Sequence, residues 1–223
     1  MRNERRDDAG QLLSLETEPA TEADAAEARA AGLSLVRCNQ QLRIRLPLAD
    51  STTPLPTRSF VPGRDDEAFL GVNNRAFEWH PDQSNWTSEH LNDRLREPWF
   101  DPEGFLLHEI DGTLAGFCWT RVHPETATDP QLGEIFVIAV DPAFHGQGLG
   151  RSLTIAGLAF LASKSIEVGL LHVEHDNLAA QSLYRDLGFV EHDNLAAQSL
   201  YRDLGFLEHD SHCWWGVAKG ESK

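Results

Sequence analysis

A run of apolar residues leading into a glycine-rich turn restricts the possible folds of this chain more than any other feature. Every residue from Ile135 to Val140 is apolar, which is typical of a strand buried on both faces of a sheet. The residues that follow, DPAFHGQGLG, carry three glycines at alternate positions. The apolar residues after them recur at the spacing of one helix face: Leu149, Leu153, Ala156 and Phe160. The sequence therefore predicts an α/β fold in which a central strand passes through the turn into a helix.

The segments around this strand predict further elements. The dipeptide Asp111-Gly112 between two apolar runs indicates a β-hairpin over GFLLHEIDGTLAGFCWTRVH. VGLLHVEH is typical of a strand, NLAAQSLYRDLGF of a helix that ends at Gly188, and HCWWGVA of a last strand. Two helices are expected upstream, in DDEAFLGVNNRAF and over Glu89 to Arg96. This order of elements predicts one domain with a mixed sheet.

The beginning of the chain differs from the rest. Residues 1–18 are charged and aperiodic, and we expect them to be disordered. Residues 19–50 predict one helix and one or two strands, which cannot close a core alone, so we interpret them as the remnant of an N-terminal domain. Residues 51–58, STTPLPTR, are typical of a linker, and the main domain is expected over residues 59–223.

One segment of the chain occurs twice. Residues 173–189, VEHDNLAAQSLYRDLGF, return without change as residues 190–206. Two copies are too few for a solenoid, which needs about three units to bury a continuous core. We therefore interpret the repeat as a tandem duplication within one domain.

Charge and cysteine content exclude some classes of function. The formal net charge is −16 and no basic stripe offsets it, so we expect no nucleic-acid partner. No apolar run reaches the roughly 18 residues that a membrane span needs, and the start is not signal-like, so we expect a cytoplasmic protein without a membrane partner. Cys38, Cys118 and Cys213 are odd in number and far apart, which favours free thiols in a reducing compartment.

The glycine turn allows two interpretations. It is not a Walker loop, which needs a lysine after the glycines, and it is not a Rossmann fingerprint, because Arg151 stands where the third glycine belongs. Its amides can point inward at the start of a helix and hold a pyrophosphate, with the helix dipole behind them. Alternatively, it is a strand-to-helix turn without a ligand.

The turn and the segment after it together resemble the GNAT acetyltransferase superfamily. The acyl-CoA motif of that superfamily has glutamine or arginine, two residues, glycine, one residue, and glycine or alanine. The corresponding residues here are His145, Gly146, Gln147, Gly148, Leu149 and Gly150, with histidine at the first position. A strand, Asn177, a helix with Tyr184, and Gly188-Phe189 follow. The resemblance implies the GNAT fold and acetyl-CoA as co-substrate.

A narrower resemblance covers most of residues 59–223. VNNRAFEWHPDQSNWT, EPWFDPEGF, GFCWTRVH and GEIFVIAVDPAFHGQGLGRSLTIAGL look like the mycothiol synthase family. That family has two GNAT domains, and the C-terminal one acetylates the cysteinyl amine of cysteinyl-glucosaminyl-inositol. The resemblance implies the same reaction here, which is the last step of mycothiol biosynthesis. Residues 19–50 depart from the family, because they resemble only the end of its first GNAT domain.

Moving an acetyl group from a thioester to an amine requires a base for the amine and a proton for the departing thiolate. An α-amine titrates at about pH 8, so a weak base suffices. Glu134 lies at the start of the buried strand, and the resemblance implies that it is the base; the alternative is a solvated charge at a strand end. Tyr184, two helical turns after Asn177, is implied to be the acid; the alternative is a packing residue.

The resemblance also assigns the residues that bind acetyl-CoA. Ile138, Ala139 and Val140 would offer main-chain groups to the pantetheine arm and to the acetyl carbonyl. His145 to Arg151 would hold the pyrophosphate, although Arg151 can also be an ordinary surface cation. The set is completed by the start of the repeated helix: Asn177, Leu178, Ala179, Ala180, Gln181 and Ser182.

The resemblance implies that four residues bind the acceptor sugar: Asp82, Arg121, Glu134 and His172. The family has lysine and tyrosine where this chain has Arg121 and His172. A metal site is an alternative that we disfavour, because His175 recurs as His192 only through the duplication. Its ligands would be His172, His175, His209, His212 and Cys213. We expect a monomer that binds a small-molecule amine and no metal.

The duplication leaves open which copy holds the site. The strand VGLLHV leads directly into residues 173–189, so we assign the site to Asn177 and Tyr184 and interpret the second copy as a surplus helix. Alternatively, Asn194 and Tyr201 take those positions, and the two registers compete because the copies are identical. Two other functions stay open here: a non-catalytic acyl-CoA-binding protein, and an acetyltransferase for another small amine or a peptide terminus.

Overall fold

A computed structural model of the chain describes residues 1–7, 9–18, 20–48, 55–78, 83–127, 129–191 and 211–217. In chain order its elements are β1 (Arg2–Arg6), β2 (Leu12–Thr17), α1 (Glu22–Ala30), β3 (Ser34–Arg45), β4 (Arg58–Ser59), α2 (Asp66–Ala76), α3 (Ser88–Leu95), β5 (Phe105–Ile110), β6 (Thr113–His123), β7 (Leu132–Val140), α4 (Leu149–Ser163), β8 (Val168–Glu174), α5 (Leu178–Asp186), β9 (Val190–Glu191) and β10 (Ser211–Gly216). The helices and strands predicted from residue 59 onward, outside the second copy, are confirmed.

The chain divides into two compact units. The central unit is Ile44–Leu171, and the terminal unit combines Met1–Arg43 with His172–Lys223. The predicted linker, residues 51–58, does not mark this division. Each unit boundary instead falls inside a strand, β3 or β8.

In the central unit the strands stand in the order β8-β7-β6-β5-β4. β7 is parallel to β8, and the other neighbouring strands are antiparallel. The hairpin of β5 and β6 turns at Asp111 and Gly112, whose φ angles are 51° and 75°. A tight turn of this kind requires positive φ at both positions, which is why the Asp-Gly pair predicted it.

Helix α4 covers one face of this sheet. A Cβ atom at Gly157 would clash with Cys118 Sγ and would lie 2.7 Å from Ile135 Cδ1. The helix therefore approaches the sheet closely only because residue 157 has no side chain. Burial raises the pKa of the Cys118 thiol to about 12, so this cysteine is free but unreactive, as the free-thiol prediction expected for it.

An aromatic core covers the opposite face. Phe117 and Trp119 flank Cys118 in β6, and side chains alternate between faces along a strand. The rings of Phe105 and Trp119 stack with centroids 4.3 Å apart. Helices α2 and α3 close this core with three buried residues: Phe69, Val72 and Leu91.

In the terminal unit the strands stand in the order β1-β2-β10-β3, all antiparallel, and β9 pairs with β3. Helix α1 begins with a capping box, in which the Asp24 carboxylate accepts a hydrogen bond from Thr21 N–H at 2.9 Å and Thr21 Oγ1 accepts one from Asp24 N–H. One cluster of its described buried residues consists of Leu12, Leu15, Ala28, Leu33, Cys38, Cys213 and Trp215.

The prediction of disorder for residues 1–18 is wrong for the described part, which forms the hairpin of β1 and β2. Leu12 and Leu15 of β2 are buried, so this strand contributes to a core. β1 is exposed, but its arginines form ion pairs with acidic residues that include Glu4 and Glu27. Of these partners, Glu4 lies in the same strand, whereas Glu27 of α1 is brought to the arginines by the fold.

The expectation of three free thiols is also wrong. Cys38 and Cys213 are directly opposite each other in β3 and β10 and form a disulfide bond. They are separated by 175 residues in the sequence. Spacing along the chain could not reveal this pair, because strand pairing alone brings the two residues together.

Candidate active site

Phe136 is an extra residue in β7. Trp119 of β6 pairs with Val137 and Thr120 pairs with Ile135, so Phe136 has no partner in this ladder. The parallel ladder to β8 also ends at Ile135. A bulge of this kind bends its strand and increases the twist, and bulges are common beside active sites.

Beyond this bulge, the described residues of the central unit pair β7 only with β6. Apart from the C=O of Val140, which lies 3.1 Å from His145 Nε2, the main-chain groups that Val137 to Val140 turn to the other edge pair with no described strand of this unit. An extended ligand arm that carries amides can add to such an edge with the hydrogen bonds of a β-strand. The edge includes the three predicted cofactor residues Ile138, Ala139 and Val140.

The glycine turn connects the end of β7 to α4. Gly146 and Gly148 have φ angles of 79° and 74°, which only glycine adopts easily. Gly148 caps α4, and Ser152 N–H donates to its C=O at 3.2 Å. The N–H groups of the first turn have no acceptor inside the helix and carry the positive end of the helix dipole. The exposed turn therefore has the chemistry of a phosphate-binding loop.

Asp141 anchors this turn to the rest of the unit. Its carboxylate accepts hydrogen bonds from Ala143 N–H at 2.9 Å and from Arg75 Nε at 3.0 Å. Burial alone would raise the pKa of Asp141, but these donors outweigh burial and hold it below its usual value. His145, which departs from the acyl-CoA motif, lies with Nε2 3.1 Å from the carbonyl oxygen of Val140. The ring therefore binds the end of β7.

Glu134 lies at the other end of β7, and only 6% of the surface of the whole residue is exposed. Its Oε2 is 2.7 Å from Nε2 of His123, a residue of β6. The alternative of a solvated charge at the strand end is therefore wrong, because the carboxylate is buried against His123. Burying a carboxylate is costly unless hydrogen bonds compensate. With a rise of about 3.3 Å per residue, Glu134 and Val140 are about 20 Å apart along the strand.

Arg121 is the cross-strand neighbour of Glu134. Its guanidinium carbon lies 4.9 Å from the ring centroid of Trp99, a favourable cation–π distance. Its Nε is buried and has no hydrogen-bond partner among the described residues. The register therefore makes Arg121, whose guanidinium contacts the Trp99 ring, the cross-strand neighbour of the buried Glu134.

The predicted residues at the start of α5 belong to the terminal unit. Asn177 Oδ1 accepts a hydrogen bond from Ala180 N–H at 3.1 Å, so its side chain caps the helix. Gln181 is buried and donates to the carbonyl oxygen of His175 at 2.7 Å. This side chain fastens α5 to the end of β8. The neighbouring cofactor candidates Leu178, Ala179, Ala180 and Ser182 lie in the first turns of the helix.

Tyr184 and His172 also lie in the terminal unit. Tyr184 is buried, and its ring packs edge-on against Phe189 with centroids 5.6 Å apart. This contact fits the packing interpretation and leaves the proposed acid role as a prediction. His172 is exposed, and its Nε2 lies 3.4 Å from Nε2 of Gln41.

Several sequence predictions fall outside the described residues. They include Asp82, the second helix copy with Asn194 and Tyr201, and His192 and His209 of the metal alternative. In the part of the chain that the structure describes, no three His, Cys, Asp or Glu side chains come together as metal ligands. Cys213 is bonded to Cys38 and cannot serve as a thiolate ligand. None of the described helices is long and apolar enough to cross a membrane.

Sequence reasoning missed His123, Arg75 and Asp141. His123 stands two positions after Arg121, so the alternation of side chains along a strand could have placed both on one face of β6. The register of β6 against β7 was not readable, however, because the connecting segment between them does not fix it. Arg75 and Asp141 are 66 positions apart and meet only in the folded chain.

Two comparisons address the family. The model of the acetyltransferase (GNAT) family matches residues 73–189, just over half of the chain. Proteins named mycothiol acetyltransferase from Thermobispora bispora and Acidimicrobium ferrooxidans are 49% and 50% identical over 170 and 158 residues, which are 72% and 69% of this chain. The chain spans only about half of these curated relatives, 57% and 51% of their lengths.

Solved structures agree on the fold. A GCN5-related N-acetyltransferase from Sphaerobacter thermophilus matches with a TM-score of 0.61 at 22% identity, covering 91% of this chain and 58% of that one. A GNAT acetyltransferase from Colwellia psychrerythraea matches with a TM-score of 0.60 at 12% identity, covering 92% and 65%. The predicted GNAT fold is confirmed, and the chain belongs to the GNAT acetyltransferase family.

Proposed function

We propose that the chain is an acetyl-CoA-dependent N-acetyltransferase that acetylates the cysteinyl amine of cysteinyl-glucosaminyl-inositol, the last step of mycothiol biosynthesis. The observation that carries the proposal is the layout of β7. A buried carboxylate lies at one end, a phosphate-binding turn lies about 20 Å away at the other, and a main-chain edge connects them. An elongated donor with phosphates at one end and a reactive group at the other fits this layout, as acetyl-CoA does.

The chemistry follows from these groups. Acetyl-CoA supplies the acetyl thioester, and the turn from His145 to Arg151 holds its pyrophosphate through main-chain N–H groups. Glu134 takes a proton from the ammonium group of the acceptor, and the neutral amine attacks the acetyl carbon. The carbon–sulfur bond breaks, and the thiolate takes a proton, for which Tyr184 is the proposed source. A positioned base typically contributes about 10² to 10⁴ in rate.

The choice of acceptor rests on the relatives named mycothiol acetyltransferase and on the surroundings of Glu134. Arg121, the cross-strand neighbour of Glu134, and the Trp99 ring that it contacts suit a hydroxyl-rich sugar, because an aromatic ring and a charged donor can bind its apolar and polar faces. Asp82 and His172 are further proposed acceptor residues. We propose that the protein works as a monomer.

Steady-state acetylation of cysteinyl-glucosaminyl-inositol tests the proposal. Glu134→Gln keeps the size of the side chain but removes the base, so kcat should fall about 10²- to 10⁴-fold. Calorimetry should show unchanged acetyl-CoA affinity, because Glu134 lies far from the turn. Glu125→Gln is the matched control, since it removes an exposed carboxylate just after β6 and should leave kcat unchanged.

The outcomes separate the competing functions. Acetyl-CoA binding without turnover would favour a non-catalytic acyl-CoA-binding protein. Turnover with other amines or peptide termini, but not with cysteinyl-glucosaminyl-inositol, would overturn the acceptor. No binding of acetyl-CoA at millimolar concentration would overturn the enzymatic proposal.

A further inference from the structure

We infer that His123 is a positioning residue that orients the carboxylate of Glu134 for proton abstraction. The inference rests on the proposed function and extends it to a residue that the sequence did not single out. It starts from the 2.7 Å contact between His123 Nε2 and Glu134 Oε2. An ionised carboxylate only accepts hydrogen bonds, so Nε2 carries the hydrogen in the state that can act as a base.

The register of the sheet places the two residues together. Glu134 pairs across the strands with Arg121, and His123 is two positions further along β6 on the same face. The register therefore brings the imidazole of His123 within hydrogen-bonding distance of the carboxylate. β6 is held to β7 as far as the pair of His123 and Leu132, so the imidazole projects from ordered backbone.

The burial of the two groups differs in a way that suits this role. The Glu134 side chain is 9% exposed and the His123 side chain is 31% exposed. A carboxylate at this depth needs a donor to stay ionised, and a terminal carboxylate otherwise rotates broadly about its last torsion. The hydrogen bond from Nε2 to Oε2 restricts the rotation of the carboxylate and hence the direction of its other oxygen. Small errors in the placement of a catalytic group lower the rate strongly.

Two substitutions separate hydrogen bonding from simple packing. His123→Gln places an amide N–H near the position of Nε2, whereas the shorter side chain in His123→Asn does not reach it. We expect His123→Gln to keep kcat close to that of the wild type and His123→Asn to lower kcat about 10- to 100-fold. KM and calorimetric affinity for acetyl-CoA should stay unchanged in both variants. Val122→Ala, at the neighbouring position of β6, is the control for disturbance of the strand end.

A double-mutant cycle tests whether His123 acts through Glu134. If it does, His123→Asn should cause no further loss of kcat in a chain that already carries Glu134→Gln. Thermal unfolding of each variant confirms that the compared chains are folded. Equal kcat values for His123→Gln and His123→Asn would overturn the inference, and so would a full additional loss in the double mutant.

Failure of the inference and failure of the proposed function give different results. An active wild-type chain, an impaired Glu134→Gln variant and an undiminished His123→Asn variant would overturn only the role of His123. A wild-type chain that binds acetyl-CoA but does not acetylate the acceptor would overturn the proposed function, and the inference with it.

Discussion

The central unit and the terminal unit are stabilised in different ways. The central unit has an aromatic core in which Phe60, Phe105 and Trp119 stack in sequence, with centroids 4.3 Å apart at each step. Fully burying each such ring contributes about 1.5–3 kcal/mol. Among the described residues, the terminal unit has a cluster of mostly aliphatic buried residues, a disulfide bond and several surface ion pairs. Exposed ion pairs contribute little, about 0–1 kcal/mol each.

This difference bears on how function is distributed along the chain. In the central unit, β7 and the turn after it carry three features: the Glu134 carboxylate, the edge that pairs with no described strand of this unit, and the glycine turn. The terminal unit holds Asn177 and Tyr184 on a short helix fastened by Gln181. We therefore expect substitutions in the core of the terminal unit to alter stability locally, whereas the proposed base and the glycine turn depend on the packing of the central unit.

The largest expected effect tests the contribution of the terminal unit to turnover. Tyr184→Phe keeps the contact with Phe189 but removes the hydroxyl, so kcat should fall by up to about 10²- to 10⁴-fold if this group is the acid. Acetyl-CoA affinity should be unchanged. Tyr201→Phe is the matched control, because it makes the same change in the second copy.

The pattern of losses also decides which copy works. A loss in Tyr184→Phe alone assigns the acid to the first copy, and a loss in Tyr201→Phe alone assigns it to the second. Equal partial losses would indicate that both registers form. Full activity in both variants would contradict an acid role for either tyrosine.

The disulfide bond should stabilise the terminal unit by about 2–4 kcal/mol. Replacing both Cys38 and Cys213 by alanine should lower the free energy of unfolding by that amount and speed amide exchange in β3 and β10. Exchange in β6 and β7 should change much less, because their core lies in the central unit. A reductant should destabilise the wild type and leave the double variant unaffected. Uniform acceleration across both units would contradict separate stabilisation.

Removing the buried carboxylate of Asp65, in the central unit, should have a smaller effect on the free energy of unfolding. Burial alone would raise the pKa of Asp65, but hydrogen bonds from Arg58, Arg64 and Val61 N–H outweigh it and hold the pKa well below its usual value. A lowered pKa in the folded state stabilises the protein fully above the unfolded pKa of about 3.9, and this stabilisation is lost progressively as the pH falls from that value through the lower folded-state pKa.

Asp65→Asn should therefore lower the free energy of unfolding by about 2 kcal/mol at pH 7. The difference from the wild type should shrink progressively below about pH 4. Urea unfolding at several pH values measures this. Asp93→Asn, which removes an exposed carboxylate, should have little effect at any pH. A difference for Asp65→Asn that stays constant down to pH 2 would contradict the assignment.

Much of the central unit was predictable from local sequence. The apolar run in β7, the Asp-Gly turn and the helical periodicity of α4 each depend on neighbouring residues, and all three elements formed as predicted. The resemblance to the GNAT superfamily pointed to Glu134 and to the glycine turn. The terminal unit was less predictable, because β1 and β2 are stabilised by Glu27 and by β10, which lie far from them in the sequence.

By itself, the sequence determined the order of helices and strands from residue 59 onward outside the second copy, the glycine turn after a buried strand and the family. Only the tertiary structure decided the β-bulge at Phe136, the disulfide between Cys38 and Cys213 and the hydrogen bond between His123 and Glu134. The physical reason is that a strand's local pattern specifies its faces but not its partner or register. Pairing between distant strands sets both, and these three features each depend on that pairing.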